Sequence, residues 1–220
     1  MSNVFGAITT TLLSYPEEKK VFLRDRANSL YRVITYVVAR SIAEIPVFFL
    51  TSSIFSLIVY WTAFLNDTFS YKYYTFGIIH YLIVVGILFL SSLVGSSFSL
   101  ALSSLISNQS LLITVNNVIT IPLLLLSGFF ANSRNFAPYL IPFEYVSIYK
   151  YAFQTLIHNE FTNLQPFYCF NSGNWKCYQY LTFNAFREPF YISLIGIACL
   201  YVLFKILSFI FIYYFNKIKV

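Results

Sequence analysis

Few side chains in this sequence can do chemistry, and their spacing narrows the set. His80 and His158 stand far apart, and neither belongs to an H-E-x-x-H pattern. There is no G-x-S-x-G elbow and no G-x-x-x-x-G-K-[ST] loop to cradle phosphates. Both histidines read as hydrogen-bonded structural residues. Cys169 and Cys177 have seven residues between them in a polar segment containing Asn and Gly, whereas Cys199 lies within an apolar run. The pair reads as a disulfide on the oxidising side, with free thiols as the alternative. Zinc competes less well, because neither histidine has ligand spacing to the pair. Cys199 reads as a small apolar filler.

Glu44 is the acid whose position demands an explanation. It begins a long apolar run, where a carboxylate is costly unless it pairs or faces a polar interior. Arg40, four positions back, shares its helical face, so the two form a candidate polar relay. Contact with a substrate or a proton is the competing role. Pro46 follows closely and weakens the helix entry. An intramembrane enzyme combining Glu44 with His80 has little support, since the two fall toward opposite ends of antiparallel spans. Asn116 and Asn117, with Thr114, Thr120 and Pro122, interrupt a Leu, Ile and Val helix. Amides in hydrocarbon need partners, so this face meets protein or a water-filled cavity, and packing and cavity lining fit equally well. Ser91, Gly95 and Ser99 recur at intervals of four and predict close helix packing.

The elements that position these residues belong to a bilayer. The 220 residues are 58% hydrophobic, 21% aromatic and 10% charged, against roughly a quarter charged in soluble domains. From Tyr73 to Ser133, 61 residues pass without an Asp, Glu, Lys or Arg, which excludes a soluble core, a disordered tail and a disulfide scaffold. The net charge of +6 sits in the flanks of apolar runs, with no basic stretch suited to nucleic acid. The first residues lack the basic region of a signal peptide.

A bilayer core takes about 20 helical residues, so the apolar runs count as spans. They predict an all-α polytopic helix bundle with four complete spans, 37–66, 73–103, 111–130 and 189–215, the last containing a snorkelling Lys205. Residues 1–14 have the character of the end of a preceding span, which suggests N-terminal truncation. Residues 17–31 place Phe22, Leu23, Ala27, Leu30 and Tyr31 at helical spacing and predict an amphipathic helix on the inner surface. Lys19, Lys20, Arg24, Arg26, Arg32 and Arg40 near one end, with Lys217 and Lys219 at the other, predict that both ends are cytosolic. Residues 132–188 then form an outer loop. Asn117, Ile121, Gly128 and Phe129 fall on one stripe if the third span continues through them at 3.6 residues per turn.

Several segments, in order and over essentially the whole chain, resemble the membrane domain of the G family of ABC transporters, the white/brown type of half-transporter with an ABC-2 membrane domain. They are FLRDRANSLYRVITYVVARSIAEIP (Phe22 to Pro46), SGFF (Ser127 to Phe130) with Asn132, and Tyr145 to Phe161 ending in HNEF. The resemblance implies one nucleotide-binding domain followed by six spans, with two halves dimerising. Residues 1–220 then cover the second half of span two through span six, and ATP and Mg belong to a domain outside them.

The resemblance also assigns roles. The amphipathic segment is similar to the coupling helix, and Arg24, Asp25, Arg26, Asn28, Tyr31 and Arg32 would contact the ATPase domain. Ser107 to Ser110 resembles a second inner contact. Asn3, Gly6, Asn117 and Ile121 match the substrate cavity at the dimer axis. Phe129 and Phe130 match the pair of bulky residues that closes it toward the outside. Gly6 departs from the aromatic clamp of multidrug members. Phe136 to Phe161 resembles the re-entrant helical segment, and Cys169 with Cys177 the disulfide of the outer loop.

The expected function is therefore the membrane-spanning part of an ATP-driven exporter of lipids, sterols or amphipathic molecules, in the plasma membrane, as a homo- or heterodimer. The chain itself is expected to hydrolyse nothing. The alternative is a truncated, non-transporting paralogue that dimerises with full-length relatives and modulates them.

Overall fold

The structure is a computed structural model that describes residues 1–28, 30–62, 74–106, 108–130, 139–161 and 189–215. Every regular element among them is a helix, in the order α1 (Ser2–Ala27), α2 (Val33–Thr62), α3 (Tyr74–Leu105), α4 (Gln109–Leu125), α5 (Ile141–Val146), α6 (Ile148–Phe161) and α7 (Phe190–Phe215). The fold is an all-α bundle. Three of its helices are long and apolar enough to cross a membrane, over Val33–Val59, Ile78–Leu105 and Phe190–Tyr214. The fourth expected span corresponds to α4, whose 17 residues rise about 25 Å and so fall short of about 30 Å of hydrocarbon, leaving it a shorter apolar helix than the other three.

Helix α3 is the central pillar and packs against α1, α2, α6 and α7. It can be approached closely because its inward stripes are small. Ser91, Ser92, Ser96, Ser97, Ser99 and Ser103 are all buried. Their hydroxyls stay satisfied by bonding back to carbonyls of the preceding turn, as in Ser92 to Leu88 at 2.8 Å and Ser97 to Leu93 at 2.7 Å. At Gly95 an added Cβ would lie 3.2 Å from Val4 and Ile8 side-chain atoms, which shows how near α1 comes. The outward faces are apolar: Ile42, Leu50 and Ile54 of α2 and Leu82 of α3 are exposed. Large apolar residues outside and serines inside reverse the soluble pattern, as hydrocarbon solvent requires.

Four expectations change. Residues 1–14 and 17–31 do not form separate elements, because α1 runs unbroken through Pro16. Val4, Ile8, Leu12, Tyr15 and Phe22 form one buried stripe. Burial of that stripe on α3 and its neighbours continues the helix across the missing proline N–H. Of the amphipathic stripe, Phe22 is buried with Leu23 and Tyr31 packed around it, whereas Leu30 is exposed beyond the helix end. The 111–130 span ends early at Leu125, where Leu126 and Ser127 turn tightly onto the Pro122 and Leu124 carbonyls and Gly128 adopts a positive φ of 83°. Phe129 therefore leaves the helical stripe of Asn117 and Ile121. Cys199 fills no core; it is a free thiol on the exposed face of α7. The Asp67–Lys72 turn, most of the 132–188 loop with Cys169 and Cys177, and residues 216–220 lie outside the described residues.

Candidate translocation cleft and coupling surface

A cleft of about 590 Å³ opens between α1 and α2. Asn3, Gly6, Ala7 and Thr10 line one wall, and Val47, Phe48, Thr51 and Phe55 the other. Its volume lies within the range of small-molecule sites. The cleft closes on Ser14, Glu18, Arg40 and Glu44. An apolar groove with charges at one end can take an amphipathic molecule lengthwise.

The charged end is a network joining four helices. Arg40 Nε donates to Glu44 Oε1 at 3.1 Å, and its other nitrogens reach Glu18 of α1 and the Ser14 hydroxyl at 3.0 Å. Tyr36 donates to Glu18 at 3.0 Å. Glu44 Oε2 accepts from Ser96 Oγ of α3 at 3.1 Å and lies 3.6 Å from Lys205 Nζ of α7. The side chains of Arg40, Glu44 and Lys205 are 9%, 11% and 14% exposed. Two carboxylates and two cations balance formally, which makes their removal from water tolerable.

Lys205 is the residue that sequence reasoning misassigned. It does not snorkel; it turns inward to Glu44 because that carboxylate is the near opposite charge in a low-dielectric interior. The signal was present, since Glu44 is the sole acid of α2 and Lys205 the sole charge of α7. Glu18, Ser14 and Ser96 were missed because no linear spacing brings three helices to one point.

The expected cavity residues separate into two groups. Asn3 and Gly6 line the cleft, whereas Asn117 and Ile121 lie on α4 away from it. Asn3 also ties three helices, since its amide nitrogen reaches Ser52 Oγ at 3.0 Å, Ser92 Oγ at 2.9 Å and the Leu88 carbonyl at 3.4 Å. Ile121 is 54% exposed, and Phe129 and Phe130 are 56% and 59% exposed on the surface beyond the α4 terminus. Asn116, not Asn117, is the buried amide, with its Oδ1 and carbonyl both accepting from Thr120.

The six expected coupling residues gather at the α1–α2 turn. Arg24 is largely exposed and only 3.9 Å from Asp25, a weak pair. Tyr31 donates to Asp25 Oδ2 at 3.3 Å; desolvation first, and then that carboxylate, raise its phenol above the usual tyrosine range. Asn28 caps α1 by donating its backbone N–H to the Arg24 carbonyl at 3.2 Å, and the Arg32 carbonyl accepts from Thr35 to begin α2. Lys19 donates to the Ser104 carbonyl at 3.2 Å, capping the last turn of α3 with a positive charge. Burial lowers its pKa from the ordinary lysine value. At the opposite end His80 Nδ1 meets Asn159 Oδ1 at 3.0 Å, joining α3 to α6. Among the described residues no group of three or more His, Cys, Asp or Glu could hold a metal ion.

An apolar-surfaced helical bundle with a lateral cleft and a charged turn at one end defines an integral membrane protein of the transport class. The chain belongs to the ABC-2 type transporter family, whose model matches residues 1–161. It is 30% identical over 217 residues to Protein white of Drosophila melanogaster, covering 94% of this chain and 29% of that protein. Similarity to Protein white of Ceratitis capitata is also 30%, with 94% and 30% covered. ABC transporter G family member 17 of Arabidopsis thaliana is 31% identical over 174 residues, covering 79% of this chain and 25% of the relative. The chain thus spans less than a third of the length of these relatives.

Proposed function

We propose that these residues form the membrane-spanning part of an ATP-driven exporter of lipids, sterols or amphipathic small molecules. ATP and Mg would bind a nucleotide-binding domain outside the 220 residues, docked on the turn holding Arg24, Asp25, Arg26, Asn28, Tyr31 and Arg32. A second half-transporter, identical or related, would bring Asn117 and Ile121 against Asn3 and Gly6 across a two-fold axis. The protein would sit in the plasma membrane with both ends cytosolic. The carrying observation is the α1–α2 cleft, whose apolar wall suits an amphipathic solute and whose charged end adjoins the helix leading into that turn. The network joining Arg40 and Glu44 to α1, α3 and α7 supports a relay from the turn to the spans.

The test is transport by the complete native protein in proteoliposomes, with fluorescent phospholipid, sterol and amphipathic dye as probes. ATP-dependent accumulation that disappears in an Arg24→Glu, Arg26→Glu variant supports the reading. A protein that moves none of the probes but alters ATP-driven export when co-expressed with full-length relatives is a regulator, and the exporter reading falls.

A further inference from the structure

The end of α4 determines where its next aromatic rings are held. A helix leaves its last carbonyls without partners, and here Leu123 is one of them. Its oxygen accepts from Ser147 Oγ at 2.8 Å, across the bundle from the α5–α6 junction. The same fully buried hydroxyl accepts from the Lys150 N–H at 3.3 Å, which makes Ser147 the N-cap of α6. One side chain therefore joins the C-terminus of α4 to the N-terminus of α6. Between them Gly128 turns the chain at φ 83°, and the Phe129 N–H donates to Ser127 Oγ at 3.4 Å.

After that turn, Phe129 meets two rings edge-on: Phe130 with centroids 4.8 Å apart, and Phe153 of α6 with centroids 5.2 Å apart, both near 89°. Phe129 and Phe130 are more than half exposed, so neither is held by a surrounding core. Helix α6 is far better anchored. Lys150 pairs with the buried Glu144 of α5 at 3.0 Å, Tyr151 packs directly on the α7 backbone at Gly196, and Asn159 bonds His80. A loosely held ring packed against a residue of a well-anchored helix takes its position from that helix.

We propose that Phe153 is the positioning residue for the outer closure: its ring holds Phe129 in the closed arrangement and passes the placement of α6 to the plug. This rests on the reading that Phe129 and Phe130 close the cavity toward the outside. An edge-to-face contact contributes enough that its loss shifts a closed-to-open equilibrium roughly two- to tenfold. Ser147 sets the distance over which the contact works, because it locks α4 to α6.

The experiment reads the gate without needing to know the substrate. In the complete protein carrying Cys199→Ser, a cysteine is placed below the plug by Asn117→Cys, and its rate of modification by a membrane-impermeant thiol reagent is measured from outside on intact cells. Surface protein is quantified alongside. Phe129→Ala, Phe153→Ala and the double variant are compared, with Phe153→Tyr as the conservative variant that keeps the ring. We expect Phe129→Ala and Phe153→Ala each to raise the rate roughly two- to tenfold. The double variant should do no more than either alone, and Phe153→Tyr should stay near the parent. If Phe129→Ala raises the rate while Phe153→Ala does not, or the two effects multiply, the positioning role is wrong and the plug survives. If Phe129→Ala changes nothing, the plug reading fails and the inference with it. Should Phe153→Ala not reach the surface, Phe153→Leu replaces it, and an unchanged rate there overturns the proposal.

Discussion

Glu44 accepts from Arg40 and Ser96 and faces Lys205, so three helices other than its own depend on one carboxylate through the network it completes. The partners are not equally dependent on it. Arg40 keeps Glu18 and Ser14 if Glu44 is lost, whereas the buried Lys205 ammonium has no hydrogen-bond partner and relies on Glu44, 3.6 Å away, as its counter-charge. Glu44→Ala is therefore expected to cost about 3–5 kcal/mol by stranding a buried cation. Lys205→Met should cost much less, because Glu44 retains two donors and Met fills similar space. Thermal unfolding in detergent, with the double variant closing the cycle, checks this: equal losses from the two single variants would show that Lys205 does not depend on Glu44. Gly6 offers a second test. A Cβ built there meets nothing within 4 Å, so Gly6→Ala should stabilise α1 by about 0.5–1 kcal/mol. Gly6→Phe should reach the membrane normally while improving export of planar polyaromatic probes relative to sterols. Poor surface delivery of Gly6→Phe would mean the cleft is occupied in the assembled protein. The Arg40–Glu44 pairing could be read from their spacing, since both lie on one helix. Glu18 and Lys205 could not, because helical periodicity says which face a residue takes and nothing about which other helix meets that face.

At the scale of elements, run length and charge-free stretches were sufficient for α2, α3 and α7, whose apolar windows leave a hydrogen-bonded helix as the workable state in hydrocarbon. The same reasoning failed in two places. The division expected between residues 1–14 and 17–31 is overridden by a stripe that stays buried on either side of Pro16. The Leu and Phe run after Pro122 looked like more helix but is ended by a turn at Gly128, where apolar composition carries no information about φ. Contact between elements was legible wherever small residues recur, as at Gly95. Gly196 extends the same logic to α6 and α7: an added Cβ would stand 2.6 Å from Cε1 of the Tyr151 ring, a contact that cannot persist. Gly196→Ala is expected to push α6 away from α7 and destabilise the bundle by about 1–3 kcal/mol. Tyr151→Leu in the same chain should recover part of the loss. A lowered unfolding midpoint for Gly196→Ala that is not relieved by Tyr151→Leu would place the strain elsewhere.

The whole molecule is organised by where its charges are allowed to be. The outward faces of α2, α3 and α7 are apolar, and among the described residues the exposed cations, Lys20, Arg24 and Arg32, lie at the turn end of the bundle. The placement of that end is tied down by a contact as well as by composition: Lys19 of α1 donates to the Ser104 carbonyl of α3, so the α1–α2 and α3–α4 turns share one side. Lys20, Arg24, Arg26 and Arg32 lie at the same end. With α4 starting from that side, a crossing by α4 would put Tyr139, just before α5 and 73% exposed, on the other. Short basic flanks resist translocation, each Lys or Arg adding to the bias. The turn end is therefore expected to face the cytosol, and a cysteine at Lys20 should react with an impermeant thiol reagent only after the cells are permeabilised. A cysteine at Tyr139 should react on intact cells, and Cys199 should react in neither case, because it lies within the membrane-length apolar run Phe190–Tyr214 of α7. Lys20→Cys and Tyr139→Cys labelled from the same side would contradict the α4 crossing, since 17 residues would then lie along the membrane instead of through it. Labelling of the two from opposite sides, with Lys20→Cys outside, would keep the bundle and invert it. In that case the charged turn could not meet an ATP-binding domain in the cytosol.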